Sequence, residues 1–191
     1  MFTPKEKRMQ NSPEYTLQLE KLHAAKSFGN ASGAPKILTD FLAQNTVTSI
    51  LDFGCGKGTP LDSLKSDKMD IYSYDPITYP IELPESVDLV YSRDVLEHIE
   101  PEQIDSVLDR LFTIGKKYQH HFIACHPAKK RLSDGRNAHL IIEEPKWWKD
   151  KIEQIPGWKI IFENIKGPKP LVRGNVTIDI VKYTVILEKE V

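Results

Sequence analysis

The stretch SILDFGCGKGTP, Ser49–Pro60, decides how this chain folds. An apolar run ends at Phe53, and three glycines follow at alternating positions, Gly54, Gly56 and Gly58. Short apolar runs bounded by turn residues are typical of strands buried on both faces of a parallel sheet. Glycines directly after such a strand let a ligand approach the main chain, because they carry no side chain. The stretch therefore predicts a strand, a tight turn and a ligand site.

On both sides of this stretch, apolar strands alternate with helical segments. The clearest helix is predicted at 101–117, where one apolar stripe recurs at steps of three and four: Ile104, Val107, Leu108, Leu111 and Phe112. The pattern also predicts helices at 13–28, 35–45, 59–66 and 145–155, and strands at 47–53, 70–75, 87–92, 120–126, 158–165 and 176–188. The last two strands are expected to form a hairpin with a long connection. This order predicts an α/β fold with a mostly parallel sheet and a terminal antiparallel strand.

The bulk composition indicates one globular domain. The chain has 191 residues, of which 40% are hydrophobic and 28% charged, and its net charge of −1 gives no general case for nucleic acid or a membrane surface. Its two cysteines, Cys55 and Cys125, are too few for a disulfide framework and have no metal-ligand spacing, which favours a reducing compartment. With no signal-peptide core, we expect a cytoplasmic domain whose residues 1–33 form an N-terminal arm or lid helix.

Two acids help to define the ligand at the glycine turn. Asp52 precedes the first glycine by two residues, and Asp75 ends the next predicted strand, where it can accept hydrogen bonds from ribose hydroxyls. The G-x-G-x-G spacing departs from the G-x-G-x-x-G of dinucleotide enzymes. A carboxylate beside the turn would repel a pyrophosphate and attract a cationic cofactor. An NAD-dependent oxidoreductase is therefore disfavoured.

The segments ILDFGCGKG, YDP and DLVYSRDVLEHI, in this order, resemble the class I S-adenosylmethionine (SAM)-dependent methyltransferases over residues 47–160. LDFGCGKG and DVLEHIEPE are most similar to small, largely uncharacterised methyltransferases of bacteriophage and bacterial genomes. The resemblance implies a seven-stranded Rossmann-like sheet with SAM over the carboxyl ends of its strands. It also implies three groups of cofactor-binding residues: Asp52, Gly54, Cys55 and Gly56 at the methionine end, Asp75 and Pro76 at the ribose, and Ser92, Arg93 and Asp94 beside the transferring methyl group.

One segment departs from this family. Only twelve residues separate Asp75 from Asp88, and three of them are prolines. The family has a helix and a strand in this place, and twelve residues cannot hold both. We therefore predict a sheet that is abbreviated between the family's second and fourth strands, and an adenine pocket that is more open or is closed by other residues.

The acceptor side is predicted at RDVLEHI. Asp94, Glu97 and His98 have helical spacing i, i+3 and i+4, which would place them on one face. Glu97, His98 and His139 are the candidate catalytic residues, as a general base or an acceptor clamp. RNA 3′-terminal ribose 2′-O-methyltransferases carry a similar E-x-x-E-H motif and a later histidine, which hold a divalent cation. This chain has D-x-x-E-H and an R-N-A-H loop ending at His139, so a metal site and a purely structural role remain open.

The acceptor itself is less well defined by the sequence. A D/N-P-P-Y/F motif for DNA amino methylation is missing, and neither cysteine follows a proline, as a C5-cytosine nucleophile would. The segment 116–136 is locally basic and Trp147-Trp148 follows it, which is typical of a site for single-stranded nucleic acid, although solvated lysines and buried tryptophans explain it equally. The sequence predicts methyl transfer from SAM to a heteroatom of a small polar or nucleotide-like acceptor. The alternatives are a metal-dependent RNA or nucleotide ribose methyltransferase and a SAM-binding partner protein without activity.

Overall fold

The computed structural model describes residues 11–25, 28–30, 33–57, 60–174 and 176–190, with the backbone alone for residue 173. Residues 1–10 of the predicted N-terminal arm and the third glycine of the turn, Gly58, lie outside this part. The described helices are Pro13–Ala24 (α1), Lys36–Gln44 (α2), Ile104–Ile114 (α3) and Pro145–Glu153 (α4). The strands are Ser49–Phe53 (β1), Asp70–Tyr74 (β2), Val87–Arg93 (β3), Gly115–Ala124 (β4), Trp158–Arg173 (β5) and Val176–Lys189 (β6).

The strands form one mixed sheet in the order β2-β1-β3-β4-β6-β5. The first four strands are parallel, and β6 pairs antiparallel with both β4 and β5. This confirms the predicted α/β, Rossmann-like class with its antiparallel end. The sheet has six strands and stops at β2, because residues 76–86 run as a loop and form no strand. The predicted abbreviation is therefore present, in place of the seven strands that the resemblance implies.

Helices cover both faces of the sheet. The apolar stripe of α3 is buried as predicted, and α3 and α4 pack with strand residues into the largest core cluster. Leu38 of α2 packs into a second cluster on Ile50 and Leu89, which belong to β1 and β3. Both strands are buried on both faces, which explains why their sequences are apolar without alternation.

Four local predictions differ from the structure. Among the described residues after the glycine turn, a short 3-10 turn at Asp62–Leu64 stands where a helix was expected. A second 3-10 turn, Leu96–His98, replaces the predicted helix of the RDVLEHI segment. Helix α3 ends at Ile114, because Gly115 takes an extended conformation and begins β4 five residues earlier than predicted. The long connection of the hairpin is itself strand, since β5 continues to Arg173 and β6 begins at Val176.

The carboxyl ends of β1, β2, β3 and β4 meet at one edge of the sheet, because these strands are parallel. Ligands of open α/β sheets bind outside this edge. None of the described helices is long and apolar enough to cross a membrane.

Candidate active site

A cavity of about 360 Å³ opens at the carboxyl edge of the sheet. Three parts of the chain enclose it: the ends of β1 and β2, the segment that follows β3, and helix α1 with the chain after it. The residues that line it include Gly54, Cys55, Gly56, Asp75, Pro76, Arg93, Asp94, His98, Tyr15, His23 and Phe28. A volume of this size accommodates one small-molecule ligand or cofactor.

The glycine turn forms the floor of the cavity. Gly54 and Gly56 have φ angles of 79° and 62°, in the left-handed region that glycine adopts without steric cost. A Cβ atom on Gly56 would collide with the carbonyl oxygen of Gly29, so the turn and residues 28–30 touch backbone to backbone. The N–H groups of Gly54 and Cys55 donate to the Tyr74 carbonyl at 2.8 and 3.0 Å. Few backbone donors are therefore left at this turn for a phosphate.

Asp52 lies behind the turn and does not line the cavity. Its side chain is 2% exposed, and the Oδ2 oxygen has no hydrogen-bond partner in the described part of the chain. Burial, reinforced by the charge of Asp62, raises the pKa of Asp52 to about 7. A cationic group placed beside the turn would restore the charged form of this carboxylate.

Asp75 and Pro76 line the cavity directly after β2, as predicted. The Oδ1 oxygen of Asp75 accepts hydrogen bonds from the N–H groups of Ile77 and Thr78, both at 2.9 Å. Asp75 is 5% exposed, so this loop holds its carboxylate firmly at the cavity wall. Oδ1 holds the loop in shape, and the second carboxylate oxygen can still accept hydrogen bonds from a ligand.

Of the three residues predicted beside the transferring methyl group, Ser92 and Arg93 end β3 and Asp94 follows it, and their side chains separate in the structure. Arg93 and Asp94 line the cavity, and Asp94 has a φ angle of 53° that turns the chain sharply at the end of the strand. Ser92 is fully buried, and its hydroxyl pairs with Nδ1 of His121 at 2.8 Å. It does not line the cavity, and its side chain instead connects β3 to β4.

Glu97, His98 and His139 come together, with one ligand atom of each within 4.8 Å of the others. Asp94 is not part of this group, because a 3-10 turn replaces the helix that would have aligned it. His98 Nδ1 lies 2.6 Å from the Ala138 carbonyl, and His139 Nδ1 lies 2.5 Å from the His126 carbonyl. A carbonyl only accepts, so both rings carry their proton on Nδ1 and present an unprotonated Nε2.

Burial controls the charges of this cluster. It raises the pKa of Glu97 to about 8, with a further contribution from the Asp94 charge, and Glu97 Oε1 accepts the Ala124 N–H at 3.1 Å. Burial and the neighbouring His139 lower the pKa of His98 to about 4. Burial also lowers the pKa of His139. At neutral pH the cluster is therefore an acid at Glu97 beside two neutral imidazoles.

Helix α1 contributes cavity residues that sequence reasoning missed. Tyr15 and His23 face the cavity, and the Tyr15 hydroxyl donates to the His98 carbonyl at 2.5 Å. Phe28 packs edge-on against both His23 and His98. The signal was the spacing of four between Tyr15, Leu19 and His23, which predicts one buried helical face but not what that face covers.

Two predicted surface features lie elsewhere. Lys116 and Lys117 stand at the amino end of β4, at the sheet edge away from the cavity, so the basic segment 116–136 is not one surface. Trp148 is fully buried in the core, and Trp147 packs against the same core beneath Lys151. Of the two explanations that the sequence leaves open for this pair, packing of the tryptophans against the sheet is the one that the structure shows.

The cavity fits SAM better than a dinucleotide. The described residues after the turn form only a three-residue 3-10 turn, so they provide no helix N-terminus for a pyrophosphate. The buried Asp52, with its unpaired oxygen, lies behind the turn and Asp75 beside it, which favours a cationic ligand. The fold and this site define a class I, SAM-dependent methyltransferase.

Comparison with known proteins agrees. A family model described as a methyltransferase domain matches residues 28–164, and the chain belongs to this family, as an enzyme that uses SAM as cofactor. No curated protein matches it at a significant level.

Solved structures share the fold at low sequence identity. The 1,6-didemethyltoxoflavin N1-methyltransferase of Burkholderia thailandensis, with bound S-adenosylhomocysteine (SAH), is 11% identical, with 100% of this chain and 94% of that chain covered and a TM-score of 0.62. The magnesium protoporphyrin IX methyltransferase of Synechocystis PCC 6803, also with SAH, is 13% identical, with 95% and 89% covered and a TM-score of 0.50. The small RNA methyltransferase HEN1 is 14% identical, with 82% and 25% covered and a TM-score of 0.56.

Proposed function

We propose that the enzyme transfers the methyl group of SAM to a heteroatom of a small polar or nucleotide-like acceptor. The observation that carries this proposal is the position of His98, which lines the cofactor cavity and belongs to the cluster with Glu97 and His139. An acceptor held against this cluster lies beside both the cofactor and an unprotonated imidazole nitrogen. Positioning and proton removal are what methyl transfer to a hydroxyl or protonated amine requires.

The cofactor-binding residues follow from the cavity wall. Gly54, Cys55 and Gly56 would bind the methionine end, and Asp75 with Pro76 the ribose. Arg93 and Asp94 would lie beside the reacting methyl group. Bound SAM supplies an electrophilic methyl group on a sulfonium ion. Asp52 would act through the turn by its negative charge, since it does not reach the cavity.

The protonation states at neutral pH distinguish the candidate proton acceptors. Glu97, with a pKa of about 8, is mostly protonated at neutral pH, so little of it is available to accept a proton. His98, with a pKa of about 4, is neutral over the same range and its Nε2 is unprotonated. A histidine of the cluster therefore takes the proton, while Glu97 holds the Ala124 N–H and the carboxyl end of β4.

The decisive experiment measures transfer of labelled methyl from SAM to short RNA, short DNA and a low-mass cell extract. His98→Ala and His139→Ala should each lower the rate at least a hundredfold and change SAH affinity, measured by calorimetry, less than threefold. Gln103→Ala is the control, because Gln103 lines the same cavity and has no titratable group. If SAH binding and methyl transfer fell equally, the two histidines would have a structural role and no catalytic one.

The pH dependence gives a second check of the base. Because the pKa of His98 is lowered, its Nε2 stays available down to about pH 5, and we expect a rate that is flat from pH 6 to 7.5. A rate that rises tenfold per pH unit up to about pH 8 would instead make Glu97 the base.

A divalent cation is the second candidate, and the geometry of the cluster favours it. Glu97, His98 and His139 offer a carboxylate and two nitrogens, and both histidines are oriented by carbonyl acceptors, as metal-bound histidines commonly are. Three ligands would leave positions open for the hydroxyls of a ribose. On this alternative the enzyme is a metal-dependent RNA or nucleotide ribose O-methyltransferase.

A metal-binding measurement separates the two candidates. Mn²⁺ should raise the thermal midpoint of the wild-type enzyme and of the Gln103→Ala variant, and should leave that of Glu97→Gln unchanged. Activity should disappear with chelator and return with Mn²⁺ or Mg²⁺. Turnover that is insensitive to chelator removes this candidate and leaves the base mechanism.

A further inference from the structure

The hairpin of β5 and β6 extends well beyond the rest of the sheet. The last residue of β4, Ala124, pairs with Lys182, and Lys182 in turn pairs with Lys166. From there the two strands pair only with each other, as far as Arg173 and Val176. We call residues 166–182 the β-arm. None of the buried apolar core residues of the described chain lies in it.

The β-arm projects from the edge of the sheet that carries the cavity. Strand β4 is parallel to β1 and β3, so its carboxyl end at Ala124 lies at the cavity edge. The arm continues past this end for six residues of β6, which is about 20 Å of extended chain. The base of the arm therefore lies at the cavity edge of the sheet.

The base of the β-arm touches the active site. The Lys182 Nζ atom lies 3.4 Å from Oδ1 of Asp94, a residue of the cavity wall. The charge of Lys182 also acts on both Glu97 and His139. The Val181 carbonyl accepts the Cys125 N–H at 2.9 Å and lies 2.8 Å from His126 Nδ1. The arm is thus joined to the loop that carries His139.

The two faces of the β-arm differ in charge. Residues paired in register point to one side of a sheet, and alternate residues of a strand share a face. Lys166 and Lys169, opposite Lys182 and Ile180, therefore share the face of Lys182. Asp179, an odd-numbered position of β6, lies on the other face. That second face also carries Tyr183, whose hydroxyl donates to Glu163 at 3.1 Å. Among the described residues of the arm, the lysine face carries no acid.

Of the three lysines on this face, only Lys182 has an acidic partner, Asp94, among the residues that the structure describes. Lys166 and Lys169 are exposed, and among the residues the structure describes neither makes an ion pair or a side-chain hydrogen bond. Lys166 stands directly opposite Lys182, an arrangement in which like charges destabilise a strand pair. An anionic ligand along this face would relieve the repulsion.

We infer that the lysine face of the β-arm binds the phosphate backbone of a single-stranded nucleic acid whose terminal nucleotide is the methyl acceptor. The inference rests on the proposed methyl transfer. The three lysines stand within about 7 Å of each other along the strands, at the base of a face about 20 Å long; that length exceeds a small metabolite and suits a polymer whose phosphates lie on the base. Apolar side chains continue the same face, Ile180 opposite Lys169 and then Leu171 and Ile178 toward the tip, and offer surfaces on which bases can pack. The end of the bound nucleic acid would lie at Lys182, beside the catalytic cluster.

The test measures binding of fluorescent 12-nucleotide RNA and DNA strands by anisotropy, at several salt concentrations, to the full chain. The Lys166→Glu/Lys169→Glu variant should bind at least tenfold more weakly than the wild type. The slope of log affinity against log salt should become less negative by about 0.7 for each phosphate that the variant no longer neutralises. The control, Lys68→Glu/Lys116→Glu, makes the same charge change at the opposite edge of the sheet and should bind as the wild type does.

Each other outcome overturns the inference. If both variants weaken oligonucleotide binding equally, the attraction is general to the charge of the protein. If the wild type binds neither RNA nor DNA, the arm has no role in nucleic-acid binding. Binding of a glutamate-rich 12-residue peptide in place of the oligonucleotides would make the arm a protein-docking surface. SAH affinity, measured on the same samples, shows that the variants are folded. If the enzyme methylates metabolites but binds no nucleic acid, only the inference about the β-arm is overturned. If it binds nucleic acid but transfers methyl to no acceptor, the proposed function is overturned.

Discussion

Asp75 illustrates how a single side chain combines a structural and a functional task. Its Oδ1 oxygen accepts two loop N–H groups, from Ile77 and Thr78, which fixes the chain where the family has a further helix and strand. The same carboxylate lines the cavity. The hydrogen bonds of the loop explain why a residue of the cavity wall, to which we assign ribose binding, is also almost completely buried.

Asp75→Asn separates these tasks. The asparagine oxygen can replace Oδ1 in the loop, but the second carboxylate oxygen and the negative charge disappear. We expect SAH affinity to fall about tenfold, or about 1.4 kcal/mol, because the ribose hydroxyls no longer donate to a charged acceptor. Calorimetry measures the affinity, and the thermal midpoint should move little. Asp67→Asn, on the exposed surface, is the control. Unchanged affinity would place the ribose elsewhere.

At this scale the sequence identified part of the site. Gly54, Gly56 and Asp75 were found from their position after predicted strands, and all three line the cavity. His23 and Phe28 were missed, because their contact with the cavity depends on how α1 and the chain after it fold back over the sheet. Ser92 has a partner, His121, that is 29 residues away in the chain, and no local pattern reports such a pairing.

Among the elements, the glycine turn and the segment 28–30 form one contact. Lys57 N donates to the Gly29 carbonyl at 2.7 Å, and the hydroxyl of Thr78 donates to the Gly56 carbonyl at 2.7 Å. The turn is therefore bound to the loop after β2 and to the chain after α1. Its glycines are required by backbone packing as well as by the ligand.

Gly56→Ala tests this packing. A Cβ atom would collide with the Gly29 carbonyl, and we expect the free energy of unfolding to fall about 2 kcal/mol more than in Gly157→Ala, together with weaker SAH binding. Gly157 is the matched control, because it also has a positive φ angle, of 77°, and a Cβ there meets nothing within 4 Å. Urea unfolding gives the free energies of both variants. Equal destabilisation of the two would mean that only the backbone angle matters.

At the scale of the whole molecule, the sheet has fewer strands than expected on the β2 side and two unusually long strands on the other side. It ends at β2, where residues 76–86 form a loop, and at the far side β5 and β6 extend past β4. The twelve residues between Asp75 and Asp88 predict the shortened edge. The sequence does not predict the lengthened edge, because the glycines and prolines between 167 and 174 are typical of a connection rather than of strand interiors.

Replacing residues 168–180 by Asn-Gly tests whether the β-arm is separate from the core. The residues removed pair only with one another, and Lys166, Val181 and Lys182 keep their places. We expect SAH affinity to change less than twofold and the thermal midpoint to move by a few degrees at most, by calorimetry and circular dichroism. Loss of folding or of SAH binding would show that the arm supports the cavity.

The sequence by itself determined the α/β class, the glycine turn, the acid after β2 and the missing strand. These features depend on local patterns, namely apolar runs, turn residues and the length of chain between them. Only the tertiary structure decided that Glu97, His98 and His139 converge without Asp94, that Trp148 is buried, and that the base of the β-arm contacts the cavity wall at Asp94. Such arrangements depend on the packing of residues far apart in the chain, which sets burial, charge and proximity together.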